Sequence, residues 1–117
     1  MIKHFKHDEF SCPCCGQNNI DGNLVKILDT ARDIARVPFV INSGYRCAKH
    51  NAEVGGKPSS SHLSGTAVDV KCLYSSRRFT IINALLEAGF TRIGIAESFI
   101  HADIDGTKSP EVIWTYN

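Results

Sequence analysis

No run of this sequence is long and apolar enough to cross a bilayer, which takes about eighteen or more such residues. Charge of one sign is also missing. Thirteen Lys and Arg stand against twelve Asp and Glu, a net charge of +1, so no strong field argues for nucleic acid or an anionic membrane as a partner. The opening residues, Met1 to Asp8, are polar and lack the apolar segment of a signal peptide. Synthesis in the cytoplasm with reduced thiols is the expectation. Repeats, linkers and low-complexity tracts are absent, so residues 1–117 read as one domain with one modest core. An apolar share of 43% and a charged share of 21% are ordinary for a globular chain. The five cysteines are an odd count and offer one local Cys-x-x-Cys, Cys12 and Cys15, with no second local pair.

What is present begins with an irregular N-terminal stretch, Phe5 to Gly16, in which Asp8 or Ser11 caps a turn and Cys12-Pro13-Cys14-Cys15-Gly16 forms a tight knuckle. From Asp21 the apolar residues Leu24, Ile27, Leu28, Ala31, Ile34 and Ala35 recur at helical spacing, up to the stop at Val37-Pro38. Phe39 to Asn42 reads as a strand, and Ala48 to Val54 as a short helix closed by Gly55-Gly56. Ala67 to Cys72 reads as a buried strand. Ser75 is placed to cap a helix over Arg77 to Ala88, whose apolar face is Phe79, Ile81, Ile82, Leu85 and Leu86 and whose end is Gly89. Two short strands, Arg92 to Ala96 and Phe99 to Ile104, flank a tight turn at Glu97-Ser98, and Val112 to Tyr116 forms a terminal strand. Mixed elements with short turns between late strands predict an α+β fold with a mainly antiparallel sheet and helices packed against it.

The chemistry concentrates in Ser60-Ser61-His62-Leu63-Ser64-Gly65-Thr66-Ala67-Val68-Asp69 and in Ile100-His101-Ala102-Asp103. His62 sits in a polar loop and Asp69 lies seven positions on, inside the strand that follows; His101 comes from a second strand. A carboxylate within Ala-Val-Asp-Val is costly in a buried strand unless it is paired or metal-bound. Two imidazoles and one carboxylate around an open fourth position suit a catalytic zinc ion.

Ser-x-His-x-x-Gly-x-Ala-x-Asp is similar to the signature of the zinc D-Ala-D-Ala carboxypeptidase family, which shares its fold with the hedgehog signalling domain. The resemblance extends through Ser43-Gly44-Tyr45-Arg46, His50 to Gly56, Arg92 to Ile95 and Phe99 to Asp103, and it is greatest to the compact single-domain members of phages and bacteria. It implies one catalytic zinc ion on His62, Asp69 and His101. The expected substrate is the peptidoglycan stem peptide, cut by D-Ala carboxypeptidase or by endopeptidase action. A monomer is expected, delivered to the wall by lysis or another route, as a phage lysin or a bacterial wall-remodelling enzyme. Arg46 is implied as the cleft arginine that meets a substrate carboxylate or a developing oxyanion. Ser60 is placed for a hydrogen bond near the metal loop or the substrate.

The general base departs from the family pattern. Where peptidase relatives place an acidic residue three positions before the final histidine, this chain has Ser98. Glu97, resembling the acidic residue of hedgehog domains, and Asp103, on the same strand face as His101, are the two candidates, with a slight preference for Asp103. The displaced acid keeps a second reading open, a non-catalytic zinc-containing binding module of the same fold. For Cys12, Cys14 and Cys15 the expectation is packed, reduced thiols; a second zinc would need Cys47 or Cys72 to complete a set of four in space.

Overall fold

The structure is a computed structural model that describes residues 2–116. A single 3-10 turn, His7–Phe10, precedes helix α1 (Gly22–Ala35), strand β1 (Ile41–Ser43), helix α2 (Ala48–Glu53) and strand β2 (Ala67–Lys71). Helix α3 (Ser75–Ala88) and strands β3 (Arg92–Ile95), β4 (Phe99–Asp103) and β5 (Val112–Thr115) follow. The five strands form one sheet in the order β1-β2-β4-β3-β5. Three of the four pairings are antiparallel and only β3–β5 is parallel. The fold is α+β, with a mixed, mainly antiparallel sheet. Among the described residues, no helix is long and apolar enough to cross a membrane.

The boundaries follow local chemistry. Asp21 caps α1 by accepting from the Asn23 amide, and Arg36 ends it in the left-handed region at φ 57°. The first strand starts later than its β-forming residues suggest. Phe39 turns into the core and Val40 only lends its carbonyl to the Lys71 amide, so regular pairing waits until Ile41. Ser75 is the first residue of α3 rather than its cap, and Tyr74 holds the cap position without a side-chain bond. The apolar face foreseen for that helix is also split. Ile81 and Leu85 are buried together with Ala84, while Phe79 is 76% and Leu86 45% exposed.

Strand alternation gives the sheet two unlike faces. Val68 and Val70 of β2, Ile93 of β3, and Ile100 and Ala102 of β4 point to one side. There they join Leu24, Leu28 and Ala31 of α1, Ile81 and Leu85 of α3, and Phe10 in a single core. The residues between them, Asp69, His101, Asp103, Arg92, Gly94 and Trp114, face the other side. Register aligns them: Asp69 lies opposite His101, His101 opposite Gly94, and Gly94 opposite Trp114. Burying one face against helices thus assembles the polar face as a consequence.

Candidate metal centre

His62, Asp69 and His101 meet on the polar face, all three buried, with one donor atom from each within 4.8 Å of the others. His62 arrives from the loop before β2, and Asp69 and His101 are cross-strand neighbours on β2 and β4. Gly65 lets that loop close. It adopts φ +74°, and a Cβ there would collide with the carbonyl oxygen of Asn19. Its own carbonyl accepts from the Asp21 amide at 2.9 Å, which ties the metal loop to the start of α1. Ser60 Oγ accepts from the His62 amide at 3.2 Å, so this serine holds the loop backbone while also lining the cleft.

Each imidazole has one nitrogen occupied and one presented. Nδ1 of His62 donates to the Gly44 carbonyl at 2.7 Å, which leaves Nε2 facing Asp69 Oδ1 at 3.3 Å. Nε2 of His101 donates to Asp103 Oδ2 at 2.7 Å, which leaves Nδ1 facing the same Asp69 Oδ1 at 3.0 Å. Donors about 2.0–2.1 Å from a tetrahedral ion stand about 3.3 Å apart, so the three atoms fit a zinc ion. Each imidazole is also oriented by an outer partner, as metal-bound histidines are. Nothing in the sequence pattern points to the Gly44 carbonyl, because it is a backbone atom.

Burial raises the Asp69 pKa, but the neighbouring imidazoles of His101 and then His62 more than offset it and leave the carboxyl well below its usual range. Burial lowers that of His101, and the carboxylates of Asp103 and Asp69 reverse the effect and leave it raised. Asp103 is pulled down against its own burial, chiefly by His101 and also by the Asp105 amide and Arg92.

The other foreseen residues fall in different places. Arg46 reaches the centre: Nη2 lies 3.3 Å from Asp69 Oδ2, Nε donates to Ser43 Oγ and Nη1 to Asn51 Oδ1. Both oxygens of Asp103 are engaged, Oδ2 by His101 and Oδ1 by Arg92 at 2.7 Å and by the Asp105 amide. Glu97 is exposed on the β3–β4 turn and does not line the cleft. Cys12, Cys14, Cys15 and Cys47 gather in a second cluster, whereas Cys72 is buried in the main core.

The cleft above the centre holds about 620 Å3. Arg46, Lys57 and Lys108 lie on its walls, and Phe99, Trp114 and Tyr116 contribute aromatic surface. An apolar terminal strand is more often simply core, but Trp114 and Tyr116 line the cleft. Gly94 permits this, since a Cβ there would strike the Trp114 ring. The indole packs 5.4 Å from the His101 ring and 5.0 Å from the Arg92 guanidinium. Arg92 shares this face because it stands two residues from Gly94 on β3.

This fold, with two histidines and an aspartate open to a cleft, is that of a metal-dependent peptidase. The sequence model of the peptidase M15 family matches residues 3–103, and the chain belongs to that family, whose members are zinc-dependent. Comparison with curated proteins finds no match.

Proposed function

We propose that the protein is a zinc metallopeptidase that cleaves peptidoglycan stem peptides, by D-Ala carboxypeptidase or by endopeptidase action. The observation that carries this reading is the three-donor centre at the floor of a cleft lined by cations. Zinc on His62 Nε2, Asp69 Oδ1 and His101 Nδ1 would polarise the scissile carbonyl and lower the pKa of a bound water. Everything else falls to the chain's own groups. Gly44 and Asp103 hold the two imidazoles with one nitrogen each toward the centre. Arg46 carries its guanidinium beside Asp69 Oδ2, where it can accept a substrate carboxylate or stabilise an oxyanion. Lys57 extends the positive wall, which suits the carboxylates of a stem peptide. Trp114 and Tyr116 shield the other side and offer a surface to the peptide backbone.

A second reading is favoured by one observation. Asp69 and Asp103 are the acidic residues lining the cleft, and both have engaged oxygens. A zinc-containing module that binds a peptide without cutting it has this character. Mass spectrometry of muropeptides, incubated with the zinc-loaded protein and with the chelated protein, separates the two. Zinc-dependent loss of a terminal alanine or scission of the stem supports the peptidase; unchanged muropeptides at full zinc occupancy reject it.

A further inference from the structure

We propose that Cys12, Cys14, Cys15 and Cys47 hold a second, structural zinc ion that clamps the N-terminal knuckle to the loop carrying Arg46. The four sulfurs lie within 4.8 Å of one another. Cys12 Sγ stands 3.8 Å from Cys14 Sγ and 3.6 Å from Cys47 Sγ, and Cys14 and Cys47 are 3.3 Å apart. Sulfurs about 2.3 Å from a common tetrahedral centre stand about 3.8 Å apart, whereas a disulfide needs about 2.05 Å. The three separations among Cys12, Cys14 and Cys47 run from 3.3 to 3.8 Å, near the edge of such a tetrahedral cage and well beyond a disulfide bond, and Cys15 lies within 4.8 Å of all three.

Hydrophobic packing does not explain the gathering. Cys14 and Cys15 are exposed and Cys47 is half-buried; only Cys12 is enclosed. Thiols at the surface gain little from one another's company, and three of these come from a turn that could point them apart. The backbone instead directs them inward. The Gly16 amide donates to the Cys12 carbonyl and the Cys12 amide to the Gln17 carbonyl, both at 2.8 Å, and Gly16 closes the turn at φ +73°. Backbone amides also address the sulfurs. The Cys47 amide points at Cys12 Sγ at 3.5 Å and the His50 amide at Cys47 Sγ at 3.4 Å. Amides aimed at sulfur favour thiolates, the form that binds zinc. Four thiolates with no open position make a closed site, which stabilises structure and does no chemistry.

The site also has a consequence for the cleft. Cys47 follows Arg46 directly, and the Tyr45 amide donates to the Phe10 carbonyl at 2.9 Å, so this loop and the knuckle already touch. A zinc ion bridging them would fix the backbone from which Arg46 reaches toward Asp69.

The test uses the full chain purified under reducing conditions. The wild type is expected to carry two zinc ions. A His62→Ala, His101→Ala double variant keeps one, and adding Cys15→Ser to it removes that one. Cobalt loaded into the double variant shows the intense sulfur-to-metal charge-transfer bands of a tetrahedral thiolate site. Those bands arise only from sulfur donors, so they report on the cysteines whether or not the histidine centre binds metal. A double variant that holds no metal, or a cobalt form without thiolate bands, overturns the proposal. If the double variant does not fold, the cobalt spectrum of the wild type decides: thiolate bands support the site, and their absence overturns it.

Discussion

Asp103 and Glu97 are two carboxylates of similar chemistry and very different placement. Asp103 is enclosed between His101 and Arg92, while Glu97 stands in solvent on the turn. In the proposed peptidase this placement suits Asp103 to a positioning part, holding His101 toward the metal, rather than to the part of a free base. Replacing such an outer partner typically lowers metal affinity or activity by about ten- to a hundredfold. Asp103→Asn is expected to fall in that range at matched zinc occupancy and to shift the pH profile of the reaction, because the proton on His101 Nε2 loses its carboxylate. Glu97→Gln should leave both unchanged. An inactive Glu97→Gln protein would move the base to the turn. Arg46 makes a different demand. Arg46→Ala should keep zinc and fold while lowering turnover on stem peptides by roughly ten- to a thousandfold, the scale of a lost oxyanion or carboxylate anchor. Steady-state kinetics at saturating and at low substrate check this, and equal rates would confine Arg46 to a structural part.

At the scale of elements, the loop between His62 and Asp69 is held by one glycine. Gly65→Ala would force a side chain into the left-handed region and against the Asn19 carbonyl. A destabilisation of about 2–4 kcal/mol is expected from the two effects together. Gly106 offers the control, since nothing lies within 4 Å of a Cβ placed there. Gly106→Ala should stay within about 0.5 kcal/mol in urea unfolding. Most elements were legible because their signals are local: the Asp21 cap and 3.6-residue period of α1, Gly89 after α3, and the alternation in Ala-Val-Asp-Val. The donor triad was legible in the motif as a set of residue types. Its orientation was not, because the Gly44 carbonyl that turns His62 is set by tertiary contact. The same holds for Trp114 and Tyr116. Their apolar character suggests core, and only the parallel pairing of β5 with β3 presents them to the cleft. The fourth partner of the cysteine knuckle was likewise invisible, since Cys47 lies 35 positions from Cys12 and joins it only in space.

Across the whole molecule, the cleft is closed on one side by a clasp between distant loops. Ser61 Oγ donates to Asp105 Oδ2 at 2.7 Å, Lys108 Nζ reaches Ser61 Oγ at 2.8 Å and the Ser59 carbonyl at 2.7 Å, and Thr107 donates to the other oxygen of Asp105. Burial raises the Asp105 pKa, but the bonds from Thr107 and Ser61 prevail and bring it down to about 2. A depressed carboxyl contributes stability that is complete above its unfolded value, about 3.9, and is lost as pH falls through the folded one. Wild type should therefore melt above Asp105→Asn at pH 6, and the gap should close between about pH 4 and pH 2. A gap that persists unchanged at the acid end would remove the charge from the clasp.

The pairing of Asp69 with His101 across β2 and β4 makes the sheet its own gauge. Side chains alternate along a strand, so a slip of one residue between these strands would send one donor into the core and leave the other on the cleft side. A misaligned chain has no centre to offer, and an aligned one presents two donors at once. Zinc added during refolding would thus hold only correctly threaded sheets, and the ion that serves the cleft would also sort the chains that form it.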